Sequence, residues 1–193
     1  MILSLINYKG GVGKTTSTVN IGAGLARRGK SVLLVDTDPQ ANLTAIAGLR
    51  NDPAHTLYDL MHHKCDIAEA IRPATATTLG CAVIPASEEL NKIPRELADE
   101  LGKESILRDW LQSVKAEFDF ILLDCCPSRN LLSDNALAAA HEAYIPVQAE
   151  HLATQGLGQI AERVQEMRRK RVNTTLHITG IIPTMYKTSQ KSC

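Results

Sequence analysis

The chain has 193 residues, 44% of them hydrophobic and 22% charged, the proportions of a globular protein able to bury a core of its own. Basic and acidic side chains balance at 21 each, so no net field draws the whole molecule to nucleic acid or membrane, and any such contact has to be a local patch. No apolar run approaches the ~20 residues of a membrane span. The start lacks the basic n-region of a signal peptide. The cysteines, Cys65, Cys81, Cys125, Cys126 and Cys193, contain no C-x-x-C pair, which argues against a disulfide framework or zinc site and for a reducing cytoplasm.

In chain order, Ile2–Asn7 is the first strand candidate. It leads into Lys9-Gly10-Gly11-Val12-Gly13-Lys14-Thr15-Thr16, which opens a helix predicted over Lys14–Arg28. Val19, Gly22, Ala23 and Ala26 share one face of that helix, and Gly29 is placed to cap its C-terminus. Ser31–Val35 reads as the second strand and ends in Asp36-Thr37-Asp38-Pro39-Gln40. Thr56–Asp59 and Asp66–Glu69 carry partial capping boxes and mark two helix starts. After a strand at Cys81–Pro85, apolar residues Ile106, Leu107, Trp110, Leu111 and Val114 repeat at helical spacing and belong in a core. Phe118–Leu123 is a strand ending at Asp124, Leu131–Ala140 a helix, Ala143–Val147 a strand, Thr154–Arg171 a helix and Leu176–Ile182 the last strand. Several of these strands are apolar at nearly every position, as strands buried on both faces are. The alternation predicts an α/β fold of three layers, α/β/α, around a mostly parallel sheet, and we read residues 1–193 as one domain.

The Lys9–Thr16 run carries the chemistry. Gly10, Gly11 and Gly13 permit positive φ and close backbone approach, so successive N–H groups can cradle phosphate oxygens at a helix N-terminus. Lys14 supplies a point charge for the terminal phosphates, and Thr15 a hydroxyl for Mg²⁺. The standard phosphate-loop pattern requires glycine where Tyr8 stands, so the run is a tighter variant with a second lysine, Lys9, at its front edge. In an open parallel sheet ligands bind beyond the C-terminal strand ends, where Asp36, Asp38 and Asp124 all fall. An acid there can hold a metal–water shell, and a second can orient or deprotonate an attacking water.

These residues resemble the ParA/MinD family of deviant-Walker ATPases, and within it the ParA (Soj-like) partition ATPases. The resemblance rests on Lys9–Thr16, on Val35–Gln40, and on Ile121-Leu122-Leu123-Asp124 followed by Pro127-Ser128, with weaker echoes at Ile145–Gln148, Gly156-Leu157 and Gly180–Tyr186. It implies a single P-loop ATPase domain that binds ATP and Mg²⁺, dimerises on ATP, hydrolyses it slowly, and moves DNA cargo in plasmid or chromosome segregation with a ParB-like partner. It implies that Lys9 reaches the nucleotide of the partner subunit and that Lys14 binds the β- and γ-phosphates. Gly10, Gly11, Val12, Gly13 and Thr16 complete the phosphate loop. Thr15 would ligate Mg²⁺, Asp36 and Asp124 would contact it through water, and Asp38 would position the attacking water. A cytoplasmic, nucleoid-associated protein without a membrane anchor is expected.

The chain departs from the family pattern in three places. The segment usually reading Thr-Pro-Pro-Ser after the last acid is Cys125-Cys126-Pro127-Ser128, followed by Arg129, and one proline fewer loosens a switch loop. The cysteine pair is read as packing rather than as a redox or metal site. Tyr186-Lys187-Thr188-Ser189 lacks the usual arginine. Relatives continue beyond the last strand with a further strand and helices that clasp adenine and carry basic DNA contacts, so the resemblance leads us to expect that 193 residues omit them, weakening hydrolysis. The remaining dense basic cluster, Arg168-Arg169-Lys170-Arg171, with Lys187 and Lys191 as extensions, is the candidate DNA-backbone contact. His62, His63, His141, His151 and His177 have no ligand spacing. Three alternatives stay open: a MinD-type positioning ATPase, a bacterial tyrosine kinase sharing the loop, and a hydrolysis-deficient nucleotide-binding remnant.

Overall fold

Seven strands form a single sheet in the order β3-β4-β2-β5-β1-β6-β7 in this computed structural model, which describes residues 1–50, 55–76, 79–149 and 154–185. The strands are β1 (Ile2–Leu5), β2 (Val32–Asp36), β3 (Arg72–Pro73), β4 (Ala82–Ile84), β5 (Phe120–Asp124), β6 (Glu142–Gln148) and β7 (His177–Thr184). Every pairing is parallel except β3 with β4. Two-residue β3 has no sequence signal of its own and exists because Arg72 and Pro73 lie antiparallel to Val83 and Ala82 at the sheet edge. The helices are α1 (Lys14–Ala26), α2 (Asn42–Ile46), α3 (Leu57–Met61), α4 (Ile67–Ala70), α5 (Ile93–Glu96), α6 (Ile106–Val114), α7 (Leu131–Ala139) and α8 (Thr154–Arg169). Among the predicted elements, the structure shortens β1 and α1 and adds α2 and α5, each too short to show periodicity. Tyr186–Ser189, Lys191, Cys193 and His151 lie outside the described residues.

The sheet is apolar on both faces because alternate residues of one strand point opposite ways. On β2, Leu33 and Val35 join a core with Leu60 of α3, Leu107 and Leu111 of α6, Leu137 of α7 and Val164 of α8. Val32 and Leu34 face the other way, toward Leu43 of α2 and Val19, Ala23 and Ala26 of α1. Helices thus cover both sides, giving the three-layer α/β/α arrangement. Gly22 lets α1 approach the sheet, since a Cβ there would stand 2.7 Å from Leu34 Cδ2. Both capping boxes form: Asp59 accepts from Thr56 N at 2.9 Å, and Glu69 from Asp66 N at 2.9 Å. The ends of β1, β2 and β5, three adjacent central strands, therefore open on one edge.

Candidate nucleotide-binding site

The loop after β1 is anchored at both ends. Asn7, buried at the strand's end, donates from Nδ2 to Pro146 O at 2.8 Å and accepts from Lys9 N at 2.9 Å through Oδ1. The loop carbonyls are drawn toward β6 and β7: Gln148 Nε2 donates to Gly11 O at 3.1 Å, and Thr184 Oγ1 to Val12 O at 2.8 Å. Gly11 and Gly13 take φ of +72° and +84°, a region closed to most side chains. Gly13 stands at the α1 N-cap with no side-chain cap, and no acid occupies the helix's first turn, so the positive end of the helix is left for an external anion. Lys14 is 7% exposed and its Nζ donates to Lys9 O at 3.2 Å.

The three acids occupy different environments. Asp36 is fully buried; Oδ2 accepts from Thr44 N at 2.9 Å and Thr44 Oγ1 at 2.8 Å, and Oδ1 from Asp38 N at 3.1 Å. Burial pushes its pKa up, and those three donors pull it back only in part. Asp38 is half-buried at the cavity wall, its Oδ1 accepting from Gln40 N at 3.0 Å. Asp124 lies in register with Asp36 on the neighbouring strand. Its Oδ1 is 3.4 Å from the Thr18 hydroxyl, which also donates to Lys14 O, and its buried Oδ2 has no hydrogen-bond partner. Burial and then the Asp36 charge raise the Asp124 pKa, against the Thr15 hydroxyl and the Lys14 ammonium.

Gly10 through Thr16 and Asp38 line one cavity of about 500 Å³, which Gln40, Asn42 and Pro127 also face. Asp36 and Asp124 lie beneath it rather than in its wall. Lys9 is exposed and does not line the cavity, and its ammonium has no partner among the described residues. Sequence reasoning gave no role to Asn7, Thr18, Thr44, Gln148 or Thr184; the signals available were an Asn at the end of the first apolar run and the family echoes at Ile145–Gln148 and Gly180–Tyr186, which contain the last two. His141, without ligand spacing, proves structural, its Nδ1 accepting from Ile2 N at 2.9 Å.

The residue-by-residue match extends across most of the chain. The family described as AAA domain (AAA_31) matches residues 1–178. The chromosome-partitioning ATPase Soj of Treponema pallidum (strain Nichols) is 44% identical over 189 residues, 98% of this chain and 73% of that protein. The sporulation initiation inhibitor protein Soj of Bacillus subtilis (strain 168) is 42% identical over 185 residues, 95% of this chain and 72% of that protein. The chain belongs to the ParA/Soj family of partition ATPases. Solved structures agree on the family's P-loop fold. Cobyrinic acid a,c-diamide synthase from Mycobacterium smegmatis, with bound ADP and magnesium, superposes with a TM-score of 0.91 at 32% identity, covering 97% of this chain and 75% of that one. A putative plasmid partition protein from Borrelia burgdorferi bound to AMPPNP gives 0.82 at 25% identity, covering 97% and 77%.

The cysteine pair and the basic cluster of this ParA-family chain also have defined places. Cys125 and Cys126 are each 1% exposed; burial lifts the Cys125 thiol well above its ordinary range and the Cys126 thiol to about 11, so both stay protonated as packing residues. Arg168, Arg169, Lys170 and Arg171 are exposed at and just beyond the end of α8. Lys170 pairs with Glu166 at 2.7 Å, and Glu166 also binds Arg129 of the post-Asp124 loop at 3.3 Å. No helix among the described residues is long and apolar enough to cross a membrane.

Proposed function

We propose that the chain binds ATP with Mg²⁺ in the cavity between Gly10–Thr16 and Asp38, hydrolyses it slowly, and works as an ATP-dependent dimer in DNA partition with a ParB-like partner. Residues 1–193 act as one ATPase domain in this reading, in the cytoplasm and on the nucleoid. The cavity supports it first: a glycine nest, an uncapped helix N-terminus and a buried lysine converge there as phosphate binding requires. The orphaned Asp124 Oδ2 supports the cation, because two buried carboxylates side by side with one ammonium nearby form a site short of positive charge. Thr15 and Asp124 would hold Mg²⁺, directly and through water, with Asp36 behind them. When bound, the cation neutralises charge on phosphate oxygens. Lys14 turns from the Lys9 carbonyl to the terminal phosphates, and Asp38, which also lines the cavity, orients the attacking water.

The observation that carries the dimer is Lys9. It begins the loop yet is exposed, does not line its own cavity, and its ammonium finds no partner among the described residues. Ile46 and Met185, 48% and 58% exposed, rim the same mouth and give a second subunit apolar surface to cover. Size-exclusion chromatography tests this reading. Asp38→Ala with ATP and Mg²⁺ should elute as a dimer, and Lys9→Ala as a monomer. A monomer in every case would refute dimerisation, and absence of phosphate release from the wild type would refute hydrolysis. DNA contact through Arg168, Arg169, Lys170 and Arg171 belongs to the same proposal.

A further inference from the structure

Asp38 is not held only by its own side-chain contact to Gln40 N. Its backbone N–H is fixed by Asp36 Oδ1, and the other Asp36 oxygen is fixed twice by a residue eight positions along. We infer that Thr44 is the positioning residue for the water-orienting acid, acting through the buried Asp36 carboxylate. This inference rests on the ATPase reading above.

The geometry leaves Thr44 little freedom. Its hydroxyl has one proton, directed to Asp36 Oδ2 at 2.8 Å, while its oxygen accepts from Ala86 N at 2.9 Å. Its backbone N–H meets the same carboxylate oxygen at 2.9 Å. Thr44 is 2% exposed and Asp36 0%, so both partners of the bond are largely withheld from solvent. The relay therefore runs from Ala86, just after β4, through Thr44 and Asp36 to the Asp38 amide. On the far side, Ala41 N donates to Asp38 O at 2.9 Å from a residue with φ of +52°. Asp38 is thus held at both its amide and its carbonyl, with its side chain presented to the cavity. Thr44 does not line that cavity, so it acts only through its neighbours.

Thr44→Val keeps the shape, removes the hydroxyl, strands the Ala86 N–H, and leaves Asp36 Oδ2 with the Thr44 backbone N–H as its one remaining donor. In steady-state ATP hydrolysis by the full chain it should lower kcat about tenfold or more, as loss of a supporting hydrogen bond typically does, with KM changed by less than about twofold. Amide hydrogen exchange read by NMR on the nucleotide-free protein should accelerate about tenfold at Asp38 and Ala86 and stay unchanged in β1 and β5. Thr44→Ser should restore both readouts, and Thr44→Ala gives the same comparison should the valine methyl crowd the site. Unchanged kcat, exchange accelerated evenly across the sheet, or a serine variant no better than valine would each overturn the role. If the wild type releases no phosphate, the ATPase reading falls by itself, and local exchange at Asp38 still decides what Thr44 does.

Discussion

Asp36 and Asp124 stand side by side in register at the ends of β2 and β5, and solvent reaches neither, with relative exposures of 0% and 1%. Asp36 has three hydrogen-bond donors, whereas Asp124 has one bare oxygen. The pair is therefore unequal: one acid organises the loop beside it, and the other keeps an oxygen free of hydrogen bonds.

That inequality predicts how the ligand-free protein responds to pH. Both acids bind protons more tightly in the folded than in the unfolded chain, so their contribution to stability is fully present below the ordinary carboxylate value of 3.8. It is lost as pH rises above that value and the coupled pair gives up its protons, in a window that burial and mutual repulsion push upward. Thermal melts without divalent cation should show Tm falling as pH rises across that window. Asp124→Asn should flatten the upper part, and Mg²⁺ should oppose the fall by binding the ionised form. A Tm that climbs with pH in the wild type would contradict this account.

Lys14 is the one charged group of the loop that is buried, and it already donates to a loop carbonyl. Lys14→Ala should weaken ATP binding by roughly 10- to 100-fold, the worth of a charge-assisted hydrogen bond. Isothermal calorimetry of the variant against wild type measures it, and equal affinities would remove Lys14 from the site.

Gly22 tests the packing of α1 against the sheet. The added methyl of Gly22→Ala would press on the Leu34 side chain, a fully buried residue, and should cost about 1–3 kcal/mol. Urea unfolding should show a lower midpoint with an unchanged m-value. A neutral result would mean that Leu34 repacks freely.

In the α8 basic cluster, Lys170 is already paired with Glu166, which leaves Arg168 and Arg169 on the helix, and Arg171 just beyond it, as the more available cations. Replacing Arg168, Arg169 and Lys170 together by alanine should weaken DNA retention and shallow its log–log salt dependence by up to about three units. Arg168→Ala/Arg169→Ala should account for most of that change. Retention and salt slope equal to wild type would clear this helix end of DNA contact.

Everything set by short spacing was legible in the sequence. Lys9–Thr16, the capping boxes at Thr56 and Asp66, the apolar strands and the acids at their ends all depend on neighbours within one turn or one pleat, so residue order alone determines them. The α/β class and the loop's affinity for phosphate follow from that order. What only the tertiary structure decided lies between residues far apart in the chain. Thr184 meets Val12 across 172 positions, and Gln148 meets Gly11 across 137. Thr44 closes on both Asp36 and Ala86, Asp124 is left with an unsatisfied oxygen, and Lys9 stays out of the cavity lining. None of these has a local pattern, because each depends on which strand ends the sheet order brings together and on how completely water is excluded there.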